Sequence, residues 1–137
     1  MNGKILKLFS NRESQTQLSL DINGVVNDKY YAKDIERSVL LSSKESYEMA
    51  KKVDINIKYG DLGENIIIDF NPYNLSIGSR IEIENVILEI TQHCTLCKSL
   101  TKIDSKLPKL LKNDRGVFAK VIQDGTIYIN SNIKGIE

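Results

Sequence analysis

The sequence of 137 residues is poor in the side chains on which several classes of protein depend. It contains two cysteines and one histidine. Two cysteines in an otherwise cysteine-poor chain do not make the disulfide framework of a small secreted domain. The one histidine stands next to a cysteine, so no Ser/His/Asp triad can be built. These absences exclude two common ways in which a chain of this size stabilises a fold or performs catalysis.

Charge of one sign and long apolar runs are also missing. Lys and Arg number 19 against 18 Asp and Glu, which gives a net charge of +1 and no sign of a nucleic-acid or anionic-membrane partner. No apolar run approaches the roughly 20 residues of a membrane span, and the N-terminal residues lack the apolar region of a signal peptide. We therefore expect a single cytoplasmic domain over residues 1–137 that binds neither nucleic acid nor membrane.

What the sequence does contain is a series of short segments with strand-like alternation. Strands are predicted over residues 4–9, 18–22, 38–41, 66–70, 80–84, 86–91, 117–122 and 126–129. Asn23-Gly24 and Asp124-Gly125 are turn signals, and the second predicts a hairpin of the last two strands. With no regular βα alternation, the pattern predicts a mainly β fold, a largely antiparallel barrel with two or three short helices.

Two or three short helices are expected between the strands. Ser42 with Glu45 three residues later has the pattern of a capping box, which predicts a helix through about Lys52. Its apolar face would carry four side chains, those of Tyr47, Met49, Ala50 and Val53. The other two helices are expected over residues 98–102 and 108–112.

The most informative segment follows the strand over residues 86–91 and contains His93, Cys94 and Cys97. If a helix starts at residue 98, Cys97 stands near its first turn, where free backbone N–H groups lower a thiol's pKa. Cys97 is therefore the candidate reactive residue. Three other roles stay open for this segment: packing in the core, a Cys94–Cys97 disulfide, and a zinc site with His93. A thioredoxin-like pair is disfavoured because no βαβ unit surrounds it.

Six pieces of sequence, in order and with matching gaps, resemble the MOSC domain, the module named for the C-terminal part of molybdenum cofactor sulfurase. The pieces are Asp28-Lys29-Tyr30, Arg37-Ser38-Val39, Gly60-Asp61-Leu62-Gly63-Glu64-Asn65-Ile66, Leu75-Ser76-Ile77-Gly78, Thr91-Gln92 with Cys97 five residues later, and Arg115-Gly116-Val117-Phe118-Ala119-Lys120-Val121. The likeness covers nearly the whole chain, from Gly3 to Ile133. It implies a β-barrel with one functional cysteine.

The resemblance assigns that cysteine to Cys97, which would carry sulfur as a persulfide or ligate molybdenum in a bound molybdenum cofactor (molybdopterin). It places Arg37, Asn65, Arg115 and Tyr30 at the cofactor, with Tyr30 where many members have histidine. It implies a cysteine desulfurase or molybdenum cofactor enzymes as partners, and pyridoxal phosphate binding at the level of the family. The alternative function is a small molybdenum-dependent reductase of N-hydroxylated compounds. That alternative is disfavoured because the chain lacks the added N-terminal barrel domain of those reductases.

The chemistry of the two arginines agrees with this assignment. Arg37 or Arg115 near the cysteine would favour its thiolate, and guanidinium groups pair bidentately with the oxygens of a phosphate or an oxyanionic metal centre. Other roles compete. Arg37 has Asp34 and Glu36 nearby as surface ion-pair partners, and Arg115 is a turn residue before Gly116. The segment 60–65 either lines the same site or turns the chain, with its polar side chains capping backbone groups.

Overall fold

The computed structural model describes residues 2–95 and 98–136, with Lys98 and Ser99 described by their backbone alone. Within these residues the chain forms eleven strands and three short α-helices. The strands are β1 (Asn2–Ser10), β2 (Glu13–Gln15), β3 (Gln17–Asp21), β4 (Gly24–Val25), β5 (Val39–Ser43), β6 (Ile66–Ile68), β7 (Arg80–Ile83), β8 (Val86–His93), β9 (Val117–Gln123), β10 (Gly125–Tyr128) and β11 (Asn132–Ile136). The helices are α1 (Lys44–Lys52), α2 (Lys98–Ile103) and α3 (Leu107–Leu110). No described helix is long and apolar enough to cross a membrane.

Seven of the described strands close into a barrel in the order β11-β7-β8-β9-β5-β6-β1, with β1 returning to β11. The closing pair is antiparallel and joins Asn2 to Lys134 and Lys4 to Asn132. The β5–β6 pair is parallel and the other barrel pairs are antiparallel. The prediction of a mainly β, largely antiparallel barrel with a few short helices is confirmed.

The barrel interior is filled by aliphatic side chains from alternate positions of its strands. Its largest fully buried members are Ile5, Leu8, Leu41, Ile66, Ile68, Ile81, Ile83, Leu88 and Ile90. Each such side chain contributes about 1.5–3 kcal/mol when it leaves water. A second cluster lies outside the barrel, where Tyr47 and Ala50 of α1 pack with Leu107 and Leu111 near α3. The three helices therefore cover one outer face of the barrel.

The predicted hairpin of the last two strands is wrong. β9 pairs with β8 along one edge and with β5 along the other. The edge of β9 that faces β5 is paired only over residues 117–119, and within the described residues β10 forms no ladder with the rest of that edge. β10 pairs instead with β3 in a small sheet of order β10-β3-β4 that stands beside the barrel.

The predicted capping box is also wrong. Ser42 lies within β5, where it pairs in parallel with Ile67, so its backbone is extended and unavailable as a helix cap. Ser43 precedes α1 instead and makes no side-chain capping hydrogen bond. Of the expected apolar face, Tyr47 and Ala50 are buried, whereas Val53 is about half exposed at the end of the helix. Strand pairing decides where this helix begins.

Candidate functional site

An open cavity of about 390 Å³ lies within the range of roughly 300–1,000 Å³ that is typical of small-molecule sites. Six parts of the chain line it: the β1–β2 turn, the loop after β4, the start of β5, the loop before β6, Arg115 in the segment before β9, and β9 itself. Its apolar lining consists of Leu40, Leu62 and Phe118. Its charged lining consists of Arg12, Lys29, Lys33, Arg37 and Arg115 together with Asp28, Asp34 and Glu64.

Arg115 is the most unusual lining residue because its side chain is only 4% exposed. Its Nε and Nη1 atoms have no hydrogen-bond partner among the described residues. The chain around it is firmly held. The Asn71 amide donates to Asp114 Oδ1 at 2.5 Å, and Gly116 at φ +137° passes so close to β5 that an added Cβ would lie 2.5 Å from the Leu41 carbonyl oxygen. A buried charge with unmet donors is costly unless a ligand completes it.

Glu64 is a buried carboxylate on the same cavity. The Tyr47 hydroxyl lies 2.7 Å from both of its oxygens. The Gly60 amide donates to Oε1 at 2.6 Å and the Ser42 hydroxyl donates to Oε2 at 3.3 Å. Burial raises the pKa of Glu64, and the Tyr47 and Gly60 hydrogen bonds and the charge of Arg115 oppose that rise. Glu64 therefore holds the loop before β6 in place through the Gly60 amide, and it also lines the cavity.

The raised pKa of Glu64 predicts how stability depends on pH. Because the folded state binds this proton more tightly than the unfolded state, the resulting stabilisation is complete below the ordinary value of 4.5 and is lost as pH rises through the raised pKa. In Glu64→Gln this dependence is absent. The free energy of unfolding of the wild type should therefore fall relative to that of the variant as pH rises from about 4 towards neutral. Urea titrations across this range measure the difference, and a difference that does not change with pH would contradict the assignment.

Asn65 and Asp28 connect the loops that border the cavity. Asn65 Oδ1 accepts from the Leu40 amide at 3.0 Å, and its Nδ2 donates to the Phe9 carbonyl at 3.2 Å. Asp28 Oδ1 accepts from Ser10 Oγ at 2.9 Å, and its Oδ2 accepts from the Tyr30 amide at 3.0 Å. The side-chain oxygen atoms of both residues therefore accept hydrogen bonds from the protein itself.

Arg37 and Tyr30 lie nearer to solvent than Arg115. The Arg37 side chain is 44% exposed, and its Nε lies 4.0 Å from Asp34. Its guanidinium carbon is 5.7 Å from the centre of the Phe118 ring. Tyr30 is 61% exposed, with Lys29 Nζ 5.1 Å from its ring centre. Arg37 thus has the expected surface ion pair and still borders the cavity.

The cavity concentrates positive charge in a chain that is nearly neutral overall. Five of its lining side chains are cationic and three are acidic, whereas the whole chain has a net charge of +1. Two of the acids, Asp28 and Glu64, each accept hydrogen bonds from three groups of the protein. The cavity is therefore suited to an anion, and its local field is not visible in the composition.

Cys94 is a free, buried thiol. It packs against Leu40 and Phe118, two residues that line the cavity, and its backbone amide donates to the Gly116 carbonyl at 2.9 Å. Cys97, the predicted reactive residue, lies outside the described residues. His93 is exposed and stacks on Tyr73 with ring centres 4.2 Å apart. In the described part of the chain, no group of three or more His, Cys, Asp and Glu side chains could hold a metal ion.

We predict that alkylation of the native protein at neutral pH modifies Cys97 before Cys94. Cys94 is 1% exposed, so a reagent reaches it only after local opening of the structure. Peptide mapping after brief treatment with iodoacetamide measures the two rates, and treatment in urea provides the control in which both thiols react. Equal rates in the native protein, or faster modification of Cys94, would contradict the assignment of the reactive thiol to Cys97.

Four of the five residues that the sequence assigned to a site border this one cavity: Tyr30, Arg37, Asn65 and Arg115. Sequence reasoning missed Arg12, Lys33 and the apolar wall. No sequence signal marks Arg12, which follows Asn11 in a turn where both residues have positive φ. Phe118 belongs to the MOSC-like piece over residues 115–121, but nothing in its sequence context distinguishes it from an ordinary core residue.

A sequence profile of the family described as "MOSC domain" matches residues 20–134. The chain belongs to the MOSC family. That match includes each of the four residues just named, and the family is associated with molybdenum cofactor-related function. No protein among those of curated function matches the sequence.

Solved structures share the fold of this MOSC domain. The YuaD protein from Bacillus subtilis superposes with a TM-score of 0.87 at 18% identity, over 98% of this chain and 96% of that one. YiiM from Escherichia coli superposes with a TM-score of 0.80 at 16% identity, over 100% of this chain and 70% of that one. YiiM from Geobacillus stearothermophilus gives 0.73 at 12% identity, over 98% and 73% of the two chains. At such low sequence identities, the likeness shows a shared fold alone.

Proposed function

We propose that this MOSC domain binds molybdenum cofactor in the cavity described above. Arg115 and Arg37 would hold its anionic groups, and Cys97 would be the sulfur ligand. The observation that carries the proposal is the buried Arg115 guanidinium, which lines the cavity with Nε and Nη1 unpaired within the described residues. Buried polar groups are almost always hydrogen-bonded, so we expect a ligand that enters the cavity to accept from these two donors.

The residues present fit such a ligand. A guanidinium group is planar and binds phosphate or oxo groups through paired N–H donors, and Arg37 adds a second such group nearer the mouth. Phe118 and Leu40 offer an apolar wall to a flat ring system and exclude water from it. When bound, the cofactor supplies two-electron redox chemistry at molybdenum. The residues of this chain bind the cofactor, orient it and keep one face dry.

Sulfur carriage on Cys97 is the second candidate function, with a cysteine desulfurase as the partner. In that reaction the Cys97 thiolate attacks the outer sulfur of the desulfurase persulfide. The sulfur–sulfur bond breaks, the desulfurase thiolate leaves, and Cys97 becomes the persulfide. The excess of cationic side chains around the cavity favours this candidate, because it would stabilise both the attacking thiolate and the persulfide anion.

Molybdenum and pterin content test the cofactor proposal. We expect the wild-type protein, purified from a molybdenum-replete host, to retain both in equal amounts. Arg115→Met should lose them, because it removes the donors and keeps a side chain of similar length. Arg80→Met is the matched control, since Arg80 pairs with Glu89 on the surface and does not line the cavity. Loss of the cofactor from the control, or its retention in Arg115→Met, would contradict the proposal.

Sulfur transfer has its own test. Incubation with a cysteine desulfurase and cysteine should add the mass of one sulfur atom, removable by a reductant, and Cys97→Ser should abolish the gain. Cys94→Ser is the control that should still gain the mass. A sulfur adduct on protein that retains no molybdenum would favour the carrier over the cofactor-binding function. A reductase of N-hydroxylated compounds would require the retained cofactor, so it falls if molybdenum is absent.

A further inference from the structure

Arg115 and Glu64 are two buried side chains of opposite charge that line the same cavity. Within the described part of the chain, neither forms a direct ion pair. The charge of Arg115 nevertheless reaches Glu64: burial raises the pKa of Glu64, and Arg115 is among the groups that oppose this rise. An anion that pairs with Arg115 therefore cancels part of the field that stabilises the Glu64 carboxylate.

The surroundings of Glu64 suit a neutral carboxyl group as well as a carboxylate. The Gly60 amide can only donate, and it donates to Oε1 at 2.6 Å. The other two partners are hydroxyl groups, which accept as well as donate. Tyr47 Oη lies 2.7 Å from Oε2, and Ser42 Oγ lies 3.3 Å from it. A proton on Oε2 would thus find an acceptor at one of these hydroxyls, so the buried O–H group would not be left unpaired.

We infer that an anion entering the cavity at Arg115 brings a proton to Glu64, which passes from carboxylate to carboxylic acid as the anion binds. The proton comes from solvent and forms an O–H bond at Oε2, and no other bond forms or breaks. The protein thereby neutralises one buried negative charge when the ligand introduces another. This inference rests on the proposed function and deepens it, by stating what regulates the affinity of that site for its anionic ligand.

The coupling makes anion affinity depend on pH. Because the bound anion raises the Glu64 pKa further, the complex holds the proton more tightly than the free protein does. Affinity is therefore highest where Glu64 is already protonated before binding. It falls as pH rises through the pKa of the free protein and levels off above the pKa of the complex. For charges several ångströms apart near a protein surface, the two plateaus should differ by a factor on the order of 10.

The other groups around the cavity do not supply this pH dependence. Tyr47 faces Glu64 from α1, and burial together with the charge of Glu64 raises the pKa of its hydroxyl far above the ordinary value, so the hydroxyl stays protonated. Arginine, lysine and aspartate side chains ordinarily titrate outside the range of about pH 5–9. Besides Arg115 and Glu64, the charged side chains that line the cavity are Arg12, Lys29, Lys33, Arg37, Asp28 and Asp34.

Two further groups are treated in the design of the test. His93 is exposed and does not line the cavity. A cysteine thiol ordinarily titrates near the upper end of the same range, so the measurements use the full chain with Cys97→Ser. That chain is the parent of every variant below.

Titration of this parent with sodium sulfate from about pH 5 to about pH 9, at constant ionic strength, tests the inference. Sulfate stays fully ionised throughout, so the anion contributes no titration of its own. Calorimetry in two buffers of different ionisation enthalpy counts the protons taken up. Where affinity falls we expect uptake to approach about one proton per sulfate, and affinity should fall by a factor on the order of 10. Sulfate that binds without proton uptake, or that does not bind, would overturn the inference.

Glu64→Gln identifies the group that takes up the proton. Its amide is neutral and offers an oxygen to Gly60 and N–H donors to the hydroxyls, so sulfate affinity should stay at the acidic plateau at every pH. Arg115→Met should not bind sulfate, and Arg80→Met, a surface change, should behave as the parent does. Proton uptake that persists in Glu64→Gln, or sulfate binding that survives Arg115→Met, would contradict the inference.

Tyr47→Phe provides a second variant that does not alter the carboxyl group. It removes one of the hydrogen bonds that oppose the effect of burial on the Glu64 pKa. The fall in sulfate affinity should therefore move to higher pH, whether or not Glu64→Gln folds. A fall that stays at the parent's pH would show that Glu64 is not the group that titrates.

The result is separable from that of the cofactor test. If the purified protein retains molybdenum and pterin but binds sulfate without proton uptake, the coupling to Glu64 is wrong and the cofactor site stands. If sulfate binds through Arg115 with uptake of a proton while no cofactor is retained, the coupling stands and the cofactor proposal fails.

Discussion

The Arg115→Met variant should be more stable than the wild-type protein while it loses the ligand. The Arg115 side chain is 4% exposed, and two of its nitrogens have no partner among the described residues. Each unmet buried donor costs about 1–3 kcal/mol, and a methionine of similar length removes that cost without leaving a large void. The Arg115 charge also favours the ionised form of the buried Glu64. We therefore expect the free energy of unfolding to rise by about 1–3 kcal/mol at about pH 4, where Glu64 is protonated and gains nothing from that charge. A site that binds anions would then be maintained at the expense of stability.

Urea denaturation of ligand-free protein measures this gain. Arg80→Met again serves as the control, because it removes a surface ion pair and leaves the cavity intact, and such pairs contribute little to stability. A loss of stability in Arg115→Met would show that the guanidinium stabilises the fold, so that interactions within the protein offset the cost of burying it. In that case the buried arginine would no longer be evidence for a ligand.

Gly116→Ala should be severely destabilising. Gly116 has φ +137°, and a Cβ there would lie 2.5 Å from the Leu41 carbonyl oxygen, which is backbone and cannot rotate away. Backbone strain of about 1–3 kcal/mol adds to a steric cost of similar size, so we expect a loss of about 3–5 kcal/mol. The substitution would also move Arg115, because the two residues are adjacent between Asp114 and β9.

Gly78→Ala is the matched control for this variant. Gly78 also has a positive φ, +89°, but nothing lies within 4 Å of the Cβ position. It should therefore show the backbone strain alone, about 1–3 kcal/mol. Thermal denaturation of both variants gives the comparison. Equal losses for the two substitutions would contradict the close approach of Gly116 to the Leu41 carbonyl.

The strands were predictable from the sequence and part of their pairing was not. Alternation along residues 86–91 and 117–122 depends only on which face of each strand is buried, so it is visible locally. The partner of β10 depends on how distant strands are arranged once the barrel has formed. β10 pairs with β3, a distant part of the sequence, and this is a property of the whole fold. A turn signal at Asp124-Gly125 contains no information about it.

At the start of α1, strand pairing competes with a local signal for helix capping. Ser42 and Glu45 have the spacing of a capping box, but the parallel pairing of Ser42 with Ile67 keeps Ser42 extended. The hydroxyl then donates to Glu64 rather than to a helix amide. Tertiary contacts overrode the local preference at a position that also supports the candidate site.

The family resemblance identified Tyr30, Arg37, Asn65 and Arg115, and the fold brings all four to one cavity. The burial of Arg115 and of Glu64 was not predictable, because charged residues are rarely buried and nothing local marks an exception. The state of Glu64 depends on Tyr47, Gly60 and Ser42, which reach it from three separate segments. Such an arrangement exists only in the folded chain.

The pairing of β1 with β11 has a consequence for the order of folding. Asn2–Ser10 leaves the ribosome well before its partner Asn132–Ile136, which follows all the other described strands in the chain. Until then one edge of β1 lacks the partner that closes the barrel, and such a nascent edge is prone to mispairing. Closure joins residues separated by nearly the whole sequence, so it should be a late and slow step of folding.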